Sequence, residues 1–233
     1  MEGGPVTEHS TQAVVAIDGP SGSVKSTVSK EIARRLDLGY LDTGAMYRAV
    51  AWWAVHSGID LGDGDAVVEA ARTAPIEVST DPDQQQVRVD GHDVTAAIRS
   101  TEVTGAVSSV STIPAAREIL VRRQREMIEA SGRRIVAEGR DITTVVAPDA
   151  DVRVLLTASE AARLSRRGAQ LGSSQSKEAL AAQVTGRDAK DSKLVNFTDA
   201  ADGVTHLDSS ELSIEQTVTA VMDLVLRAVP ELA

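Results

Sequence analysis

The stretch Ile17-Asp18-Gly19-Pro20-Ser21-Gly22-Ser23-Val24-Lys25-Ser26-Thr27 constrains the fold more than any other part of the chain. It follows the apolar run Ala13-Val14-Val15-Ala16-Ile17 and precedes a helical pattern. That places it at a strand-to-helix turn, where a phosphate-binding loop of the form G-x-x-x-x-G-K-[ST] belongs. In such a loop backbone N–H groups surround phosphate oxygens, the lysine neutralises charge on the outer phosphates, and the hydroxyl ligates Mg²⁺. Gly19, Lys25 and Ser26 match, and Val24 stands where the second glycine belongs. A β-branched residue held in a glycine-type conformation costs on the order of 1–3 kcal/mol. The loop alone leaves two readings open: a cradle for nucleotide phosphates running from Gly19 to Thr27, or a plain turn with Lys25 solvated.

A chain of 233 residues builds one packed core with smaller mobile parts, and is too short for two large domains. It has no apolar stretch approaching the ~18 residues of a membrane helix. The absence of cysteine removes disulfides and thiolate metal sites together. Residues 1–11 lack the basic start and apolar centre of a secretory leader and read as a disordered N-terminus, so a cytoplasmic location is expected. A net charge of −10 argues against nucleic-acid polymers and anionic membranes as partners. The basic residues are nonetheless 19 arginines against 5 lysines. Guanidinium groups grip phosphate through a planar fork, so small polyanions in a local pocket remain compatible with an acidic protein.

The periodicity predicts a helix over 25–36 stopped by Gly39, a short strand at Tyr40-Leu41-Asp42, and a helix over 44–57. Strand, helix, strand, helix implies a parallel sheet. The middle departs from that rhythm. Ile76-Glu77-Val78-Ser79 and Gln86-Val87-Arg88-Val89 alternate, with Asp90-Gly91 as a hairpin-type turn, so an antiparallel insert is expected from about 75 to 98. Helices follow over about 100–108 and 114–130. Buried strands are expected at 134–138 and 151–157, then an arginine-bearing helix over 159–170, a mobile polar stretch over 171–176, a helix over 177–190, a strand over 204–208 and a helix over 213–228.

Four segments in order resemble the bacterial-type cytidylate kinases. These are the loop itself, Leu41-Asp42-Thr43-Gly44-Ala45-Met46-Tyr47-Arg48, Glu138-Gly139-Arg140-Asp141-Ile142, and Arg187-Asp188-Ala189-Lys190-Asp191-Ser192. The resemblance covers about residues 12–225. It implies an α/β fold, a P-loop NTPase-type parallel sheet flanked by helices, with core segments 12–74 and 109–233. A small antiparallel monophosphate-binding insert would occupy 75–108 and a short lid about 158–176. The implied activity is transfer of the γ-phosphate of ATP to CMP or dCMP, with Mg²⁺, by a monomer.

Such chemistry needs two anionic nucleotides aligned in line and the charge on the moving group offset in a water-poor site. The resemblance gives the ATP phosphates to Gly19, Pro20, Ser21, Gly22, Ser23, Val24, Lys25, Ser26 and Thr27, with Arg163 and Arg167 closing over them from the lid. It gives Mg²⁺ to Ser26 and Glu138. Arg48 and Arg140 would bind the monophosphate's phosphate, with Arg99 among the substrate residues. Ser108, Arg117 and Asp141 would read the base, with Thr43 nearby, and Arg187 and Asp191 would bind the ribose. Lys25, Arg140 and Asp141 would carry the transfer.

Three residues depart from the family pattern: Val24, Thr143 where glycine usually follows the R-D-I run, and Leu194 in place of an arginine. They keep two alternatives in view. One is a catalytically weakened P-loop nucleotide-binding protein, the other a kinase for another monophosphate such as UMP.

Overall fold

The computed structural model describes residues 11–171 and 199–233. β1 (Ala13–Asp18), buried along its whole length, is the middle strand of a five-stranded sheet. On one side lie β6 (Arg134–Gly139) and then β2 (Gly39–Asp42), on the other β7 (Val152–Thr157) and then β8 (Thr205–Asp208). Every pairing is parallel. A parallel strand covered on both faces must be apolar on both, which is why β1 reads as an unbroken hydrophobic run.

Alternate residues of that run enter different cores. Val14 and Ala16, with Leu41, Ile135 and Ala137, pack against α2 (Thr43–His56), α3 (Gly64–Thr73) and α6 (Pro114–Ala130). Ala13, Val15 and Ile17, with Tyr40, Val136 and Leu156, pack against α1 (Lys25–Arg35) and α8 (Ile214–Ala228). The chain crosses from one side of β1 to the other between β6 and β7. A crevice forms outside the carboxyl ends of strands at such a reversal. Register brings Asp42 beside Glu138, and Asp18 beside Gly139, at that edge.

The antiparallel insert is present as β3 (Ile76–Val78), β4 (Val87–Val89) and β5 (His92–Asp93). Asp90 and Gly91 have φ of 50° and 72°, the paired positive angles a two-residue hairpin turn requires. Its inward residues Val87 and Val89, with Val94 and Ile98, join the cluster built by α2 and α3. A 3₁₀ turn (Ala97–Arg99), α4 (Thr101–Ala106) and α5 (Ser108–Ser111) lead into α6, so the helix expected over 100–108 is two short pieces. α7 (Glu160–Leu171) follows β7.

Two expectations are corrected. α1 is stopped by Asp37, which takes a left-handed φ of 51°, while Leu38 N–H returns to Ala33 O; Gly39 opens β2 instead. Helix α3 was not anticipated, although Asp63 caps Asp65 and Ala66 N–H ahead of buried Val67, Ala70 and Ala71. The expected helix over 177–190, nearly all of the polar stretch over 171–176 and residues 1–10 lie outside the described residues. Among the described residues no helix is long and apolar enough to cross a membrane.

Candidate active site

Between β1 and α1 the loop wraps tightly. Gly19 has φ 155°, and a Cβ there would stand 2.1 Å from the Leu156 carbonyl oxygen. Gly22 has φ 80°, and a Cβ there would meet the backbone of Arg163. Both glycines are therefore required by close approach as well as by conformation. Val24 is the N-cap of α1 with φ 58° and ψ 11°, the left-handed conformation that glycine adopts freely. Its side chain is buried in the α1–α8 cluster. The strain inferred from the sequence is thus present in the backbone. Lys25 Nζ donates to Pro20 O at 3.2 Å.

A cavity of about 320 Å³ opens at the carboxyl edge of the sheet, and Lys25, Ser26, Arg48, Glu138, Arg140 and Asp141 all line it. The loop and the E-G-R-D segment, more than a hundred residues apart in sequence, therefore face one space.

Asp42 organises one wall. It caps α2 by accepting from Ala45 N–H at 3.0 Å, and its other oxygen takes Arg48 at 2.7 Å and Arg99 at 3.2 Å. Burial alone would raise this carboxyl, but the two guanidinium groups outweigh it and hold it at about 2. Arg48 Nε is buried with no hydrogen-bond partner.

Glu138 lies next to it. Tyr40 donates its hydroxyl to Glu138 Oε1 at 2.5 Å, and Glu138 Oε2 is buried with no hydrogen-bond partner. Burial, with the Asp42 carboxylate added, raises the Glu138 carboxyl, and Lys25 offsets part of that. An unsatisfied buried carboxylate oxygen beside Ser26 is a donor set that suits a hard, oxygen-seeking cation. Among the described residues no three His, Cys, Asp or Glu side chains gather as a metal cage. Mg²⁺ fits such a place, since it takes one or two carboxylates and completes its shell with water and substrate phosphate.

The third wall follows β6. Arg140 Nη1 donates to Gly19 O at 3.4 Å. Arg117 pairs with Asp141 through one NH2 and donates through the other to Ser111 O at 3.3 Å, so its fork is fixed from two sides. After Asp141 the chain makes a π-helical turn over Ile142–Val146, a feature frequent at functional sites. Ile142 and Thr143 N–H donate to the buried Asp18 carboxylate at 2.8 and 2.9 Å, and Thr143 Oγ1 adds a bond of 2.6 Å. Burial raises the Asp18 carboxyl to about 6 against the pull of those bonds.

Not every expected residue faces the cavity. Thr43 is buried and donates its hydroxyl to Glu138 O at 2.8 Å, although it does line the space. Ser108 is half-buried outside the lining, where Thr104 and Ser111, a helical turn to either side, stand instead. Arg163 donates to Ser21 O at 3.1 Å and packs on the loop without lining the cavity. Arg166, one turn on, is committed to Ser209 and the Leu212 carbonyl. The Arg167 side chain, Arg187, Asp191 and Leu194 lie outside the described residues.

Sequence reasoning missed Asp18, Asp42, Tyr40 and Thr143 as parts of this site. Asp18 and Asp42 each end a buried strand just before a loop or helix start, and a carboxylate in that position is a signal that could have been read.

A family model described as cytidylate kinase matches residues 15–227 of the chain. Cytidylate kinase of Cutibacterium acnes is 46% identical over 214 residues, covering 91% of this chain and 95% of that protein. Cytidylate kinase of Rhodococcus opacus is 48% identical over 209 residues, covering 88% and 91%. That of Mycobacterium avium is 46% identical over 220 residues, covering 93% and 96%. Among solved structures, an uncharacterized protein from Eubacterium ventriosum shares the fold, with a TM-score of 0.51 at 9% identity over 92% of this chain and 98% of the other.

Proposed function

The chain belongs to the cytidylate kinase family, and from that premise we infer that it moves the γ-phosphate of ATP to CMP or dCMP, yielding CDP or dCDP. The observation that carries the reading is the single cavity lined at once by Lys25, Arg140 and Asp141.

In this reading the loop from Gly19 to Thr27 holds the ATP phosphates through backbone N–H groups, and Lys25 leaves Pro20 O to neutralise the outer ones. Ser26 and the Glu138 oxygen that lacks a hydrogen-bond partner would hold Mg²⁺, which would supply charge neutralisation at the phosphates. Arg48, Arg99 and Arg140 hold the acceptor's phosphate. Asp42 keeps the first two oriented until the phosphate arrives. The insert over 75–108 contributes Arg99 and Thr104 to the lining, which supports its role in monophosphate binding. Arg117 and Asp141 read the base, with Thr43 and Ser108 as neighbours, Arg187 and Asp191 take the ribose, and Arg163 and Arg167 cover ATP. Chemistry of this kind is alignment and charge compensation, so it needs no strong base. A cytoplasmic monomer acting on small nucleotides completes the proposal.

Val24 bears on the donor side alone, so acceptor binding is less affected by it than ATP binding. An ADP-release assay with CMP, dCMP, UMP and AMP tests the reading. Cytosine offers an amino group to an ionised acceptor, whereas uracil sets a carbonyl oxygen against that carboxylate, acceptor facing acceptor. CMP is therefore expected to exceed UMP in kcat/KM by about a hundredfold or more. Equal values would remove Asp141 from base recognition, and no turnover with any acceptor would overturn the function.

A further inference from the structure

We propose that Thr143 is a positioning residue that fastens the donor loop to the acceptor segment, through Asp18, and thereby keeps donor and acceptor in register. The inference rests on the proposed function for the meaning of the two sites, but not for the contact itself.

Asp18 ends β1 and is the residue from which the loop departs; Ile142 and Thr143 follow directly on Arg140 and Asp141. One carboxylate, 3% exposed, gathers two backbone N–H groups and one hydroxyl from that segment. Hydrogen bonds to an ionised acceptor are shorter and about twice as strong as neutral ones, and the hydroxyl contact is the shortest of the three. A further link between the segments, Arg140 to Gly19 O, is 3.4 Å long and involves a side chain that a phosphate would recruit.

Glycine, the residue the family pattern has at 143, supplies the backbone N–H and lacks the hydroxyl. This chain therefore carries an added bond at the start of the same loop whose far end is strained by Val24. The far end of the π-turn is held as well, because Arg125 of α6 donates to Val145 O at 2.6 Å and to Val146 O at 3.1 Å. With both ends fixed, the direction in which Asp141 leaves β6 is set by Asp18. In a reaction run by alignment, a displacement of about 1 Å is worth about a hundredfold in rate, so a contact that sets register acts on kcat.

The test uses the full chain and three variants: Thr143→Val, which keeps the shape, Thr143→Ser, which keeps the hydroxyl, and Thr143→Gly, which restores the family residue. Calorimetry with CMP and a non-hydrolysable ATP analogue with Mg²⁺, each alone and then together, is combined with KM, kcat and the thermal midpoint. Thr143→Val is expected to bind each nucleotide alone within about twofold of the parent, to lose the mutual tightening between them, and to fall about tenfold in kcat, with Thr143→Ser restoring both. A lower thermal midpoint with kcat and mutual tightening unchanged would reduce Thr143 to a structural role and overturn the proposal. If Thr143→Val does not fold, Thr143→Gly decides: parental kcat and coupling there overturn it, and loss of both supports it. If the parent binds no monophosphate, the proposed function fails, and amide exchange at Ile142 and Thr143 still reads the clamp. Slower exchange on adding the ATP analogue supports the clamp, and no change refutes it.

Discussion

Valine at 24 keeps a left-handed backbone, φ 58°, while its methyl groups stay in the apolar cluster of α1 and α8. Two opposed effects follow, and two substitutions separate them. Val24→Ala loses the buried methyl groups, about 1–2 kcal/mol, and keeps the unfavourable conformation. Val24→Gly loses those groups and the Cβ as well, but is relieved of about 1–2 kcal/mol of left-handed strain, against roughly 0.5–1 kcal/mol of added chain entropy. The glycine variant is therefore expected to be at least as stable as the alanine variant by chemical denaturation, and to bind ATP more tightly than the parent. Alanine exceeding glycine in stability by the usual helix margin would mean that the backbone at 24 is unstrained in solution.

At the scale of elements, the order of strands and helices around the loop was legible because each carries its own period. β1 is apolar at every position, the insert alternates, and Asp90-Gly91 spells its turn. What was not legible depended on contacts distant in sequence. The direction of Arg166 is set by the β8–α8 turn, whose Ser209 and Leu212 carbonyls it satisfies. Its spacing of three residues from Arg163 puts the two on one side of the helix and says nothing of those distant partners. The π-turn after Asp141 has no local signature either, since it depends on Asp18 and Arg125 arriving from elsewhere. Arg117 and Asp141 were named by resemblance, and only the fold brings them together.

For the molecule as a whole, two buried carboxylates make stability depend on pH in opposite windows. Asp18, raised from 3.8 to about 6, is protonated in the folded state before it is in the unfolded one, so acidification from neutrality through pH 6 adds stability, on the order of 2 kcal/mol by pH 4. Glu138 shifts in the same direction. Asp42, lowered to about 2, contributes stability that is complete above about pH 4 and is lost as pH falls through 2. Without nucleotide or metal, the thermal midpoint is expected to rise from pH 8 to about pH 5 and to fall below pH 4. Asp18→Asn should diminish the rise while keeping the fall. A midpoint that declines steadily from pH 8 would contradict the buried, ionisable Asp18 described above.

The central claim is that one cavity at the carboxyl edge of the sheet holds both nucleotides end to end, with Lys25 on the donor side and Arg140 and Asp141 on the acceptor side. Titration with a bisubstrate compound, adenosine and cytidine joined through five phosphates, tests it directly. The account predicts one equivalent bound at least about a hundredfold more tightly than ATP or CMP alone, with both nucleotides displaced together. Binding no tighter than ATP, with CMP still able to titrate into the complex, would place the two nucleotides in separate sites and contradict it.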